Sequence, residues 1–478
     1  MVFSSLIFIY AFLPLSLLAY TLCRSLRAKN ISLLVFSLIF YAWGEPKYVL
    51  LLMLMAAVDW FCALRIDIAE YPGEKKAWLA LATAVDLLLI GVFKYAGLVC
   101  SIFGEVPELV QRIALPIGIS FYTFQLLTYV IDVYRGDAKA EREYWHVLLY
   151  AALFHQCIAG PIVRYNSIAD ELFVWRSGAE ELTDGIRRFS CGLAKKALLA
   201  NPCGALVDAL LLSDGVAGDA GLFAQNLASL RQVTVLGAWV GMAAFMMQIY
   251  LDFSAYSDMA IGMGKMLGLH YPENFNYPYT ADSVTEFWRR WHMSLSSFFR
   301  DYVYIPLGGS RCAPLRAVLN TFIVWALTGL WHGASWNFVL WGLYWFAFLM
   351  LERQFLKPVL AKSRVLSHLY LLLVVYCGWI LFRFTDIRLG WTVFRALVGA
   401  NGNRLSDFLT VTALQNNLFL LLASAAACTP LVKKLSKRLE RYAVWRGCCS
   451  SLFPVLLLLL STCALVGESY NPFLYFQF

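Results

Sequence analysis

Residues 317–351 read AVLNTFIVWALTGLWHGASWNFVLWGLYWFAFLML, two apolar runs joined by Trp331-His332-Gly333. Neither Leu319 to Leu330 nor Trp336 to Leu351 carries an Asp, Glu, Lys or Arg. A histidine between two such runs is costly to keep, so His332 is the first place to look for chemistry. The whole chain shares this character. It is 60% hydrophobic and 15% charged, against about 25% charged for ordinary soluble domains. The expected class is an all-α, polytopic integral membrane protein.

Apolar runs recur at roughly 4–22, 31–43, 48–64, 77–97, 113–134, 145–162, 185–212, 232–251, 317–330, 335–351, 366–383, 414–432 and 451–467. Several are too short to span. The fourteen residues of 317–330 reach only ~21 Å as a helix, where the hydrocarbon core needs ~30 Å. The turn carrying His332 is therefore expected inside the membrane. Such a turn is tolerated only where protein or a water-filled cavity satisfies its backbone, which predicts a partly wet, funnel-like interior.

Four basic loops set the orientation: Arg24, Arg27 and Lys29; Arg65, Lys75 and Lys76; Arg289, Arg290, Arg300, Arg311 and Arg316; and Lys433, Lys434, Lys437, Arg438, Arg441 and Arg446. The positive-inside rule places all four in the cytoplasm, with the N-terminus and the aromatic tail after Gly467 outside. The net charge of +8 then reports contact with the lipid bilayer's inner leaflet rather than nucleic-acid binding. The first run lacks basic residues before it and a small-residue cleavage pattern, so it reads as a retained helix. Twelve cysteines without a C-x-x-C pattern read as small packing groups. The six histidines show no helical pairing, and no metal is expected. Gly262 to Gly268 has the spacing G-x-G-x-x-x-G with no strand before it and reads as close helix packing. No repeat or long polar linker appears, although 213–221 and 401–413 read as external or interfacial loops.

The longest polar interruption is 270–316, and within it 286–303 has a helical pattern. At about 100° per residue, Phe287, Trp291, Leu295, Phe298 and Tyr302 share one arc, with Arg289 and Arg300 opposite. This predicts a helix along the inner interface with its apolar face turned into the fold. His292 lies on a flank near Trp288, Phe299 and Val303. It reads either as a hydrogen-bonded histidine fixing the helix or as a second histidine reaching the interior. Burial disfavours the imidazolium, so a histidine inside the membrane is neutral and able to accept a proton from a hydroxyl attacking an acyl group. General-base help of this kind is typically worth about 10²- to 10⁴-fold.

The motifs that extend this reading are Ile158-Ala-Gly-Pro-Ile-Val-Arg-Tyr165, Asp252-Phe-Ser-Ala-Tyr-Ser-Asp258 with Met259-Ala-Ile-Gly262, Asn274-Phe-Asn-Tyr-Pro-Tyr279, Phe287-Trp-Arg-Arg-Trp-His-Met-Ser-Leu295, Trp331-His332-Gly333 and Ser469-Tyr-Asn-Pro-Phe473. Together they resemble the membrane-bound O-acyltransferase family, in the branch that O-acetylates alginate or peptidoglycan. The resemblance implies a single domain over 1–478, with N-terminal helices in 1–150, a catalytic core in 151–400, and C-terminal helices with an external aromatic tail in 401–478. It implies a ring of about eleven transmembrane helices, with short re-entrant and interfacial ones, around a funnel.

The same resemblance assigns catalysis to His332 and His292, and substrate binding to Trp288, Trp291, Trp331, Asp258 and Asn274. For Asp252, Ser254, Tyr256 and Asp258 the competing reading is structural, as groups that orient a histidine or cap a helix. It also implies a cytoplasmic thioester donor, acetyl-coenzyme A or an acyl-carrier protein, with no tightly bound cofactor. A periplasmic or extracellular esterase-like partner and a polysaccharide acceptor would follow, in the bacterial cytoplasmic membrane. Phe473-Leu-Tyr-Phe-Gln-Phe478 resembles the relay peptide of a related D-alanylation system, which makes Tyr475 a candidate acyl carrier; an aromatic interface anchor is the alternative. A phenol ester has a leaving group with pKa of about 10, so an acyl group held there keeps its transfer potential. A teichoic acid D-alanyl transferase is a rival within the family, argued against by the fused tail. A transporter or flippase is a rival from another class, and its inverted repeats are not visible.

Overall fold

A computed structural model of the chain describes residues 2–174, 178–211, 220–439, 441–467 and 473–474. Every regular element among them is helical. Among the described residues five helices are long and apolar enough to cross a bilayer: α1 (Leu26–Gly44), α2 (Val49–Ile68), α3 (Pro72–Phe103), Val235–Met266 and Arg364–Arg383. The pair Phe408–Asn416 and Leu418–Ala427, bent by 55°, makes a sixth if it is one broken span. Shorter apolar helices, Phe8–Leu22 and Phe453–Val466 among them, accompany these.

The chain divides into two compact units. The first comprises Met1–Leu193, Tyr256–Glu273 and Ser450–Gln477. Its core forms where α2 and α3 meet α4 (Ile119–Arg135), whose side chains from Ile119 to Val130 are all buried. Glycines in left-handed backbone bound α4 at both ends, Gly118 at φ 78° and Gly136 at φ 79°. Gly136 donates its N–H to the carbonyls of Asp132 and Val133 and stops the helix. At Gly118 a Cβ would stand 2.5 Å from the carbonyl oxygen of Cys157. Only glycine lets α4 start against that turn.

Residues 153–163 beyond Cys157 are buried and largely without helix. Irregular backbone in an apolar interior needs internal hydrogen-bond partners. Tyr150 Oη–H donates to the Val163 carbonyl at 2.8 Å, Gln156 Nε2 to the Tyr150 carbonyl at 2.6 Å, and the Phe154 N–H to Ser37 Oγ at 3.2 Å. His155 Nδ1 and Tyr271 Oη lie 2.5 Å apart in the same region.

The second unit comprises Ala194–Ala255 and Asn274–Cys449. The helix α5 (Val235–Met266) gives it the stretch up to Ala255. The segment expected as one helix over 286–303 is two: α6 (Val284–Trp288) and α7 (Met293–Phe299), broken at 289–292. His292 takes φ 43° and ψ 55° at the break. The break exists because tertiary acceptors replace the helical ones. The N–H of Met293 donates to the Asn274 carbonyl at 2.9 Å, and that of Ser294 to Asn274 Oδ1 at 3.3 Å. Most of the expected apolar arc survives, with Phe287, Trp291, Leu295 and Phe298 buried, Tyr302 only half-buried, and Arg289 and Arg300 turned out.

Next comes α8 (Pro314–His332), longer than the apolar run 317–330 suggested. Proline suits its first turn. Its 19 residues reach ~28 Å, so His332 ends a nearly full-length helix. A three-residue turn leads back into α9 (Trp336–Leu351), and α10 (Arg364–Arg383) packs on α9. The two arms of the α8–α9 hairpin touch at Gly329 and Gly342. A Cβ on Gly329 would strike the Phe338 carbonyl, and one on Gly342 the Trp325 carbonyl. The glycine approach brings α9 directly against the turn that carries the histidine.

Candidate active site

Close packing at the end of α8 determines where His332 sits. Gly333 follows in extended backbone at φ −176°, and a Cβ on it would enter the Phe338 ring. The His332 imidazole is 5% exposed. Trp341 stands 4.8 Å away and Phe382 5.3 Å, both edge to face, with Phe338 stacked at 6.5 Å and Trp331 at 4.9 Å. Four aromatic rings from α8, α9 and α10 shield the ring from bulk water.

His292 lies in the same unit and is completely buried. Its ring meets Phe253 edge to face at 4.8 Å and Trp331 at 5.5 Å. Trp331 thus touches both histidines. Asn274 Oδ1 lies 3.1 Å from His292 Nδ1 and accepts from Ser294 Oγ at 2.9 Å. A non-glycine residue in left-handed backbone costs about 1–3 kcal/mol and persists only where its surroundings over-determine it. Here Asn274 does so through side chain and main chain together. Burial pushes the His292 imidazole down to about 3, so it is neutral at physiological pH.

Trp288 and Trp291 lie in the aromatic layer behind this centre. Trp288 packs against Trp325 at 4.7 Å, Trp345 at 5.1 Å and Trp341 at 5.6 Å. Trp291 packs against Trp379 at 4.8 Å and Phe275 at 5.1 Å. Their contacts are with protein rings, and they fix the position of the 289–292 turn. Asn274 likewise spends its oxygens on that turn. Asp258 belongs to the other unit, where Arg188 Nε donates to it at 2.8 Å and the same guanidinium holds Glu273. Tyr475 lies outside the described residues. The tail residue Phe473 is buried edge to face against Tyr256 at 4.8 Å, within the first unit.

Two further groups support this arrangement, and of their residues Glu352 and Lys196 were not singled out by sequence. Glu352, just past α9 and 5% exposed, accepts the N–H and the hydroxyl of Thr285, each at 3.1 Å, and the N–H of Val284. It caps α6, the helix that leads to His292. Lys196 and Asp252 form a buried ion pair at 2.7 Å beside Lys195 Nζ, which donates to Ser254 Oγ at 3.0 Å. This ties down the part of α5 that presents Phe253 to His292. The only sequence signal for either is a charge beside a long apolar run. Among the described residues no cluster of His, Cys, Asp and Glu fits a metal ion.

A water-shielded imidazole at the end of a helix, with a second, neutral one across a shared indole, is suited to accepting a proton from a hydroxyl. The family model of membrane-bound O-acyltransferases matches residues 143–391, which hold both histidines, Asn274 and Glu352. The chain belongs to the membrane-bound O-acyltransferase family. It is 38% identical to a probable alginate O-acetylase of Azotobacter vinelandii, over 85% of this chain and 80% of that protein. To a peptidoglycan O-acetyltransferase of Helicobacter pylori it is 30% identical, over 84% of this chain and 80% of that one. A teichoic acid D-alanyltransferase of Bacillus subtilis shares 30% identity over 48% of this chain and 56% of its own length. The protein is therefore a multi-pass membrane O-acyltransferase.

Proposed function

We propose that this O-acyltransferase moves an acetyl group from a cytoplasmic thioester, acetyl-coenzyme A or an acyl-carrier protein, to a hydroxyl on the outer side of the bacterial cytoplasmic membrane. The end product is an O-acetylated polysaccharide of the cell surface or wall, alginate-like or peptidoglycan. The observation that carries this is the pairing of His332 and His292 around Trp331 in a water-poor aromatic centre. The names of the relatives that cover most of the chain support acetyl as the group moved. The D-alanyl transferase reading rests on a relative matching about half of the chain.

His332 takes the proton of the attacking hydroxyl as its oxygen bonds to the acetyl carbon. The carbon–sulfur bond breaks, and the proton passes to the leaving thiolate. The first acceptor is Tyr475, whose phenol ester hands the acetyl group to an esterase-like partner outside, and that partner completes transfer to the polysaccharide. The experiment loads oriented proteoliposomes with labelled acetyl-coenzyme A on the basic-loop side. Label should appear on Tyr475 in the tail peptide by mass spectrometry. Turnover with an unmodified tail contradicts the relay, and the absence of any acetyl transfer, here and in a parallel run with an acetylated acyl-carrier protein, contradicts the acetyl reading.

A further inference from the structure

We propose that His292 is a hydrogen-bond acceptor that orients a substrate X–H group through Nε2, and that Asn274 is the positioning residue that leaves that atom bare. This rests on the acyltransfer reading and adds a role for the second histidine. The backbone N–H of Ser294 can only donate, and it points at the Asn274 side chain at 3.3 Å. The atom it meets is therefore the amide oxygen. Ser294 Oγ–H donates to the same oxygen at 2.9 Å. Reversing the amide would set its NH₂ against an N–H. With an oxygen 3.1 Å from His292 Nδ1, the ring nitrogen must be the donor, so Nδ1 carries the single proton of the neutral imidazole. Nε2 is then a lone pair, buried and without a hydrogen-bond partner among the described residues.

A buried ring nitrogen left bare costs free energy, and an X–H group entering the site would relieve that cost. His292 is not placed to carry a proton, since its surroundings are apolar and Asn274 offers no charge to steady an imidazolium, unlike the carboxylate of a catalytic triad. What remains is acceptance from an O–H or N–H that enters the site. The two sources are the attacking hydroxyl and an amide N–H of the thioester's pantetheine arm. Both present the same chemistry.

The replacement that separates acceptor from base is His292→Gln, whose amide oxygen falls near the place of Nε2. Surface O-acetylation should stay within about five- to tenfold of wild type in His292→Gln, the value of one imperfect neutral hydrogen bond, and be lost in His292→Phe. Equal loss in both, or retention in both, overturns the proposal. Binding of acetyl-coenzyme A to the intact protein in nanodiscs assigns the source. Weakened binding in His292→Phe means the pantetheine arm, and unchanged binding means the hydroxyl.

A readout independent of activity is the ring ¹⁵N spectrum of histidine-labelled protein, with His292 assigned by its disappearance in His292→Gln. We expect protonated Nδ1 and bare Nε2 at neutral pH, and loss of that pattern in Asn274→Ala. An Nε2–H tautomer in the wild type refutes the positioning role, whatever becomes of acyl transfer. Failure of the acyltransfer reading itself would show as unchanged O-acetylation in a His332 variant.

Discussion

The rings of His292 and Trp331 meet at 5.5 Å between centroids, inclined by 62°, and Trp331 is covalently next to His332. One indole therefore transmits the placement of each histidine to the other. Whatever fixes α6, α7 or the end of α8 therefore also sets the spacing of the two imidazoles.

Glu352 should matter through that geometry. In Glu352→Ala the N–H groups of Val284 and Thr285 lose a buried acceptor. The buried Val284 N–H becomes an orphan at a cost of about 1–3 kcal/mol, so thermal unfolding in detergent should move down and acyl transfer should fall. Glu352→Gln keeps one acceptor oxygen and should lie between the two. Full stability in Glu352→Ala would show that the cap is dispensable.

The ion pair between Lys196 and Asp252 offers a double-mutant test. Lys196→Met alone takes the ion-pair partner from a buried carboxylate and should destabilise the fold, by up to about 3–5 kcal/mol, whereas Lys196→Met with Asp252→Leu should recover much of that loss. Additive losses in the double variant would mean the two charges do not depend on each other.

At the α8–α9 crossing, Gly342→Ala places a methyl against the Trp325 carbonyl. Overpacking of this sort costs typically about 1–3 kcal/mol. The hairpin must spread at the position that sets His332 against Trp341, so activity should fall more steeply than expression. Wild-type activity in Gly342→Ala would mean the crossing tolerates a wider spacing.

The stability of the fold should depend on pH with a definite sign. The His292 imidazole is pushed down to about 3 in the folded protein, against ~6.5 when unfolded. Above pH ~6.5 neither state holds the proton and there is no effect. Below it the unfolded chain binds a proton that the folded one refuses, so stability declines as pH falls toward 3 and levels off beneath. His292→Gln should flatten part of this slope in denaturation midpoints measured between pH 7 and about 4.5. An unchanged slope would mean His292 does not contribute to it.

Sequence carried the class well, and it drew attention to the two histidines, because each depends on local information. The apolar arc of Phe287, Trp291, Leu295 and Phe298 is a matter of helical spacing, and these side chains are buried as that spacing required. His332 stood out for its apolar flanks. The break at 289–292 did not, since the acceptor that outcompetes the helix belongs to Asn274, a residue 20 positions before Ser294. Hydropathy also cut α8 short. Arg316 and Asn320 lower the local average although the helix begins at Pro314, as a helix reaching toward an interface does. His155 and Tyr271 are 116 residues apart, and no spacing rule pairs them. The motif that holds Trp288 and Trp291 does not say which rings they pack on, and Trp345 and Trp379 come from helices far along the chain.

The most direct measurement is O-acetyl content of the cell-surface polymer in cells expressing His332→Ala, with membrane levels of the protein quantified in parallel. We expect the variant to accumulate in the membrane like wild type and to lose surface O-acetylation. Normal O-acetylation by a His332→Ala protein would contradict the assignment of proton transfer to His332.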